Sequence, residues 1–367
     1  VLATALAIAA WLRGRVRPEV AVLGGAAFLL NPTIMEKAAL GEPDTLVTAF
    51  SAIAYLAWLD GRHRPSVGRF AAVAALLALA AMTKQAVMLG FFAGAAILVL
   101  ALERARPAAW IALAATLAAA LVPWAIWAAA IREPGDATQL GYALRLYGPG
   151  PGYVLAQLSM LGEYAAETLP WSLAALPALI PPWRRRLGID AALARPAAAY
   201  ALACPAVLAL WPSAVPRYLM PALPGLVICA ALTLESLWLR RWVRRLVLGA
   251  IIFLVLAQLG LRLVAMPFYL PGTRASAEAA AAIERIVATA PGPLVVAGLH
   301  GFHNAAWYLR PHPRHLRLDE FPGSTRPAWV LTAAPSLDLV QKAWPTATSA
   351  GVAQPPLPMI LLKIPPP

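Results

Sequence analysis

The stretch AAWIALAATLAAALVPWAIWAAAI, from Ala108 to Ile131, runs for 24 residues without a charged side chain. A helix rises 1.5 Å per residue, so about 20 apolar residues match the roughly 30 Å hydrocarbon core of a bilayer. A helix lying on a soluble core keeps a polar face over such a length, and this one has none. On its amino side Glu103, Arg104 and Arg106 form a short charged break, and beyond it Ala86 to Leu102 is apolar again. The same alternation continues in both directions. Apolar blocks run from Val1 to Leu12, Val20 to Met35, Thr45 to Leu59 and Phe70 to Met82, and later from Leu169 to Ile180, Pro196 to Trp211, Tyr218 to Trp238 and Leu246 to Phe268. The expectation is an all-α polytopic membrane domain of about ten transmembrane helices over residues 1–268.

Composition agrees. Of the 367 residues, 61% are hydrophobic and 13% charged, about half the charged share of an ordinary soluble domain. Mean hydropathy is +0.69. The net charge of +13 raises the possibility of a nucleic-acid partner, but the arginines sit in clusters between apolar blocks and form no basic face, so no nucleic acid is expected. Cys204 and Cys229 both lie in apolar stretches, which argues against a structural disulfide. The chain opens at Val1 inside an apolar run, and spans preceding it are expected to be missing.

If the spans alternate, one set of connections holds Arg13, Arg15, Arg17, Arg62, Arg64, Arg69, Arg104, Arg106, Arg184, Arg185, Arg186, Arg195, Arg240, Arg241, Arg244 and Arg245. The opposite set holds Lys37, Lys84, Arg132, Arg145 and Arg217, a bias of 16 to 5. The positive-inside rule assigns the first set to the cytoplasm, as for a multi-pass protein of a bacterial inner membrane. After Phe268 the texture changes. A polar, Ala-rich helical stretch spans Arg274 to Ala290, strand-like runs occupy Leu294 to Ala297, Trp329 to Thr332 and Met359 to Ile364, and a helical piece lies at Leu337 to Ala343. Residues 269–367 therefore read as a small α/β extracytoplasmic domain, periplasmic by span parity. No internal repeat supports an inverted-repeat transporter.

Ionisable groups are costly at membrane depth, so the charges on the Arg-poor side are the candidates for function. Its first connection, from Asn31 to Asp44, carries Glu36, Glu42 and Asp44. Asp44 stands where an amino cap would fall ahead of Thr45, so its carboxylate serves either as a cap or in a site. Glu36 and Glu42 read as solvated or as substrate-binding. Lys84, in Met82-Thr83-Lys84-Gln85, and Arg217, in Pro216-Arg217-Tyr218, are cations at the same interface, either snorkelling or holding a lipid phosphate. His300 and His303 lack companion ligands at metal spacing, His63 lies among arginines, and His312 and His315 fall in a Pro/Arg-rich turn. Gly148-Pro149-Gly150-Pro151-Gly152 is too proline-rich for a phosphate loop and reads as a break in a long loop from Arg132 to Thr168.

Three stretches resemble the GT-C type polytopic, lipid-linked-sugar glycosyltransferases of bacteria, the group that includes protein O-mannosyltransferase relatives and the aminoarabinose transferase of lipid A. Ala38-Ala39-Leu40-Gly41-Glu42-Pro43-Asp44-Thr45-Leu46 is similar to the family's external loop with an acidic residue before a span. Ala81-Met82-Thr83-Lys84 resembles its short turn with a lysine, and Pro216-Arg217-Tyr218-Leu219-Met220-Pro221-Ala222-Leu223-Pro224 its late Arg-Tyr, proline-rich span start. Leu294-Val295-Val296-Ala297-Gly298 and Ala306-Trp307-Tyr308-Leu309-Arg310 are similar in style to its periplasmic domain.

The resemblance implies transfer of a sugar from a polyprenyl-phosphate carrier to a glycan, lipid or protein acceptor, with no cofactor and no metal assigned. It gives Asp44 a catalytic, orienting part, and Lys84 and Arg217, with Tyr218 beside them, the neutralisation of the leaving phosphate. The family's principal catalytic aspartate belongs to a loop that no stretch here matches, so this length of chain is expected to be inactive alone. Two rivals are a transporter or flippase of lipid-linked sugar and a noncatalytic membrane scaffold.

Overall fold

Prolines set most of the helix starts. Their fixed φ suits the first helical turn, where the missing N–H has no partner to lose. The computed structural model describes residues 1–39, 41–62, 66–84, 88–130, 151–209, 216–260, 278–289, 292–297, 314–316, 329–333, 337–353 and 359–365, with positions 263 and 309. In order the helices are α1 (Leu2–Leu12), α2 (Pro18–Leu29), α3 (Pro32–Ala39), α4 (Pro43–Gly61), α5 (Val67–Thr83), α6 (Met88–Leu102), α7 (Pro107–Ala130), α8 (Pro151–Glu167), α9 (Trp171–Leu179), α10 (Pro181–Arg186) and α11 (Ala191–Leu208). A 3-10 helix, Pro216–Ala222, leads into α12 (Leu223–Leu237), and α13 (Arg241–Gly260) follows. The chain divides into two compact units, Val1–Gln258 and Leu259–Pro367.

Among the described residues, four helices are long and apolar enough to cross a membrane: Pro107–Trp127, Ala191–Leu208, Tyr218–Leu237 and Arg241–Gly260. Counting α2 with α3, bent by 54° at their break, as one span makes five. Leu2–Leu12, Val67–Thr83 and Leu89–Leu102 are apolar but shorter. The block from Leu169 to Ile180 is the nine-residue α9, about 14 Å long by its rise per residue, because Pro181 and Pro182 start a new helix at once. Lipid is the solvent that suits the outer helices. Ile111, Ile126 and Trp127 of α7 and Leu246, Ile252 and Phe253 of α13 are all exposed, an apolar surface that water does not tolerate over such an area.

Within the first unit α12 is the central helix, buried along almost its whole length. Gly225 lets it lie against α11, since a Cβ there would stand 2.7 Å from the Ala197 carbonyl oxygen and 2.7 Å from the Ala201 nitrogen. An aromatic cluster ties α4, α6 and α11 together. Tyr55 stacks on Tyr200 at 4.3 Å between ring centres, meets Phe92 edge-on at 6.1 Å, and donates its hydroxyl to the Pro196 carbonyl at 2.8 Å.

Ion pairs gather the arginine-bearing connections at one end. Arg15 meets Asp60 at 2.8 Å, Arg62 meets Glu103 at 2.8 Å, and Arg17 meets Glu235 at 3.6 Å, which joins the α1–α2 turn to the carboxyl ends of α4 and α12, and α4 to α6. The amino end of α4 therefore lies at the opposite end of the bundle.

One expectation is corrected here. The segment from Arg132 to Thr168 is not a continuous loop, because Pro151 begins α8, which runs to Glu167. The Pro-Gly pair at its start reads as a break, although proline is favoured at a first helical position. Residues 132–150 lie outside the described ones.

The second unit carries a five-stranded sheet in the order β2-β1-β3-β5-β4, from β1 (Leu294–Ala297), β2 (Arg314–Leu316), β3 (Trp329–Ala333), β4 (Thr348–Ala353) and β5 (Met359–Lys363). β1 is parallel to β2 and β3, and β5 is antiparallel to β3 and β4. Alternate residues face opposite cores. Val296, Trp329, Leu331 and Leu361 pack with Ala280 and Ile283 of the helix over 278–288, and Val295, Val330 and Leu362 pack with Val340 and Trp344, on and just after the helix Leu337–Ala343. His315 sits in β2, not in a turn, opposite Val296.

Candidate functional site

Pro43 starts α4 two residues earlier than a helix capped by Asp44. Glu42 occupies the cap position, its side chain makes no capping bond, and Asp44 falls within the first helical turn. The cap reading of Asp44 is thus replaced. Its carboxylate, 6% exposed, instead accepts a hydrogen bond from the ammonium of Lys84, 40 residues further along. The unsatisfied N–H groups of that first turn favour a negative charge there.

Lys84 is the residue at which α5 stops. Its ammonium also lies over the ring of Tyr218, 4.0 Å from the ring centre. Tyr218 belongs to the 3-10 helix Pro216–Ala222, which packs against α4 and α11. Three stretches far apart in sequence therefore meet at the end of the bundle away from the arginine pairs. Lys84 is not a lone snorkelling cation. A carboxylate pairs it and an aromatic face covers it, with only 19% of its side chain exposed.

Glu36 and Glu42 are held by a residue that sequence reading counted only as a loop cation. Lys37 bridges them, at 3.1 Å to Glu36 and 3.2 Å to Glu42, and so ties α3 to the start of α4. The α3 segment is fixed at its other end as well: Asn31, fully buried, accepts from the Ile34 amide at 3.2 Å, and the Thr33 hydroxyl donates to Glu167 of α8 at 3.0 Å. The signal that points to Lys37 is a cation between two carboxylates five and one residues away; a loop reading has no means of pairing them. Glu36 and Glu42 thus share Lys37, while Asp44 is paired with Lys84. Arg217 belongs to the same 3-10 helix as Tyr218; its side chain lies outside the described residues, as do His63, His300, His303 and His312.

Two crystal structures have this architecture. ArnT from Cupriavidus metallidurans in the apo state superposes with a TM-score of 0.62 at 18% sequence identity, over 98% of this chain and 81% of that one. The chain shares the ArnT fold. ArnT from the same organism bound to undecaprenyl phosphate gives a TM-score of 0.60 at 17% identity, again over 98% of this chain and 81% of that one. No protein-family model and no curated protein matches the sequence. At such identity the likeness shows a shared fold, and what Asp44, Lys84 and Tyr218 do rests on their own geometry.

Proposed function

We propose that this GT-C chain is a membrane glycosyltransferase that moves a sugar from a polyprenyl-phosphate carrier to an acceptor at the non-cytosolic face of a bacterial inner membrane. One observation carries the reading: the Lys84 ammonium is pinned between Asp44 and Tyr218 at the Arg-poor end of the bundle. An ammonium has three N–H donors. One serves Asp44 and the ring of Tyr218 covers another side, which leaves donor capacity for a phosphate oxygen. Breaking the sugar–phosphate bond places negative charge on the departing phosphate, and a fixed cation in a site of low dielectric stabilises that charge without reorganising. Arg217, next to Tyr218 in the chain, supplies a second cation by the same logic.

Because the charge of Asp44 is committed to Lys84, its part is to hold the ammonium and orient the site. Glu36 and Glu42, clamped through Lys37, form a polar rim for the sugar or the acceptor. The reading draws support from the neighbouring ArnT structure solved with undecaprenyl phosphate. It calls for no nucleotide, since the donor arrives already linked to lipid. It also retains about ten crossings, with the shorter helices α1, α5 and α6 crossing where the bilayer is locally thinned. By span parity the carboxyl-terminal α/β unit is then periplasmic.

The deciding experiment follows transfer of labelled sugar from a polyprenyl-phosphate donor in membranes that express the gene's full reading frame. Asp44→Asn at unchanged expression abolishes transfer on this reading, and full activity in that variant removes Asp44 from the site. Translocation of the donor lipid without transfer assigns the chain to transport.

A further inference from the structure

At the arginine-bearing end, each of Arg15, Arg17 and Arg62 meets a carboxylate. Arg184 is more buried than any of them, at 9% exposure. Yet among the described residues its guanidinium has no carboxylate within 4.0 Å and no hydrogen-bond partner. The stem is buried while the guanidinium nitrogens keep contact with the surface, where an anion from outside the chain can reach them.

The position of Arg184 is not accidental to a floppy turn. It lies in α10, whose end is closed by a Schellman arrangement: Gly188 takes φ +63°, and the amide of Ile189 returns to the Arg184 carbonyl at 3.0 Å. The Arg184 amide is held too, by the Ile180 carbonyl at 3.0 Å. Asp190, the carboxylate nearest in sequence, is occupied as the cap of α11, accepting from the Ala192 amide at 2.8 Å. What surrounds Arg184 is more positive charge. Burial first, then the charge of Arg195 and, less so, of Arg185, lowers the Arg184 guanidinium from its usual pKa.

We propose that Arg184, with Arg195 and Arg185 beside it, binds the phosphate of an anionic membrane lipid at the headgroup level of the arginine-bearing face. A guanidinium forks onto two phosphate oxygens, and clustered arginines with no counter-charge ask for an anion from outside the chain. The setting selects a lipid over a soluble anion. Trp183, next in the chain, is 46% exposed, which puts an aromatic residue suited to the headgroup level at the edge of the cluster. The site is separate from that of Lys84. Helix α11, 18 residues and hence about 27 Å long, runs from beside Arg184 toward the end that carries Tyr218.

The test measures lipid retained by the purified full chain in native mass spectrometry after equilibration with equal phosphatidylglycerol and phosphatidylcholine. Wild type keeps phosphatidylglycerol over phosphatidylcholine. Arg184→Gln cuts that preference at least tenfold, about 1.4 kcal/mol. Arg195→Gln, at an exposed position, cuts it a few-fold, and this variant decides the matter if Arg184→Gln fails to fold. Arg245→Gln, an exposed arginine of α13 outside both sites, leaves the preference unchanged, so a loss is particular to the Arg184 cluster. Equal retention of the two lipids by wild type, or undiminished preference in the folded arginine variants, overturns the proposal. Loss of bound phosphatidylglycerol to millimolar inorganic phosphate overturns it as well, assigning the arginines to a free anion.

Discussion

Breaking the Asp44–Lys84 pair from either side should cost more than removing both partners. Lys84→Met leaves a carboxylate that is 6% exposed with no cation, and Asp44→Asn leaves an ammonium that is 19% exposed with only the Tyr218 ring against it. Exposed pairs contribute about 0–1 kcal/mol, and breaking a fully buried pair costs about 3–5 kcal/mol. These exposures lie nearer the buried limit. Lys84→Met is therefore expected to cost about 3 kcal/mol, since its orphaned charge is the more buried. Asp44→Asn costs about 2 kcal/mol, because the ring retains part of the attraction. The double variant has no orphaned charge and is less destabilised than the sum of the two by about 2 kcal/mol or more. Unfolding in mixed micelles, measured for wild type, both single variants and the double variant, gives this coupling directly. Effects that add within about 0.5 kcal/mol would show that the two groups do not interact and would refute the site.

Two further outcomes follow from the packing and the topology. Gly225→Ala drives a methyl group into backbone atoms of α11 at 2.7 Å, which cannot rotate away, so it should destabilise the membrane unit by about 1–3 kcal/mol; an unchanged unfolding midpoint contradicts the close crossing of α11 and α12. Single cysteines placed by Glu36→Cys and Arg186→Cys should label from opposite sides of intact inner-membrane vesicles, with buried Cys204 and Cys229 unreactive in the background; labelling from one side only overturns the two-faced arrangement.

Much of the architecture is written in residue type. Short continuous apolar runs make β1, β3 and β5 readable, and the helix Leu337–Ala343 stands out between strands. β4 escapes notice because Thr-Ser-Ala-Gly-Val-Ala has little β-branched character and takes its place from pairing with β5. β2, with three residues, is too short to show a period. Span number is less legible, since an apolar run gives the solvent but not where prolines cut it, as at Pro181. For the site, sequence singles out Asp44 and Lys84 one at a time by the rarity of charge on their side, and Tyr218 only through the resemblance carried by Pro216 to Pro224. That they meet depends on how α4, α5 and the 3-10 helix pack through surfaces of Ala, Leu and Val, and those residues carry no pairing code. The Lys37 bridge was hidden for the opposite reason, because ordinary loop charges give no sign of which of them are half-buried.

The most direct test titrates undecaprenyl phosphate into the purified chain, wild type against Lys84→Ala. Loss of one charge-assisted contact, about 1.5–3 kcal/mol, raises Kd by about 10- to 150-fold, and Tyr218→Leu shifts it in the same direction by a smaller factor. An unchanged Kd in folded Lys84→Ala would contradict a lipid-phosphate site built on Lys84.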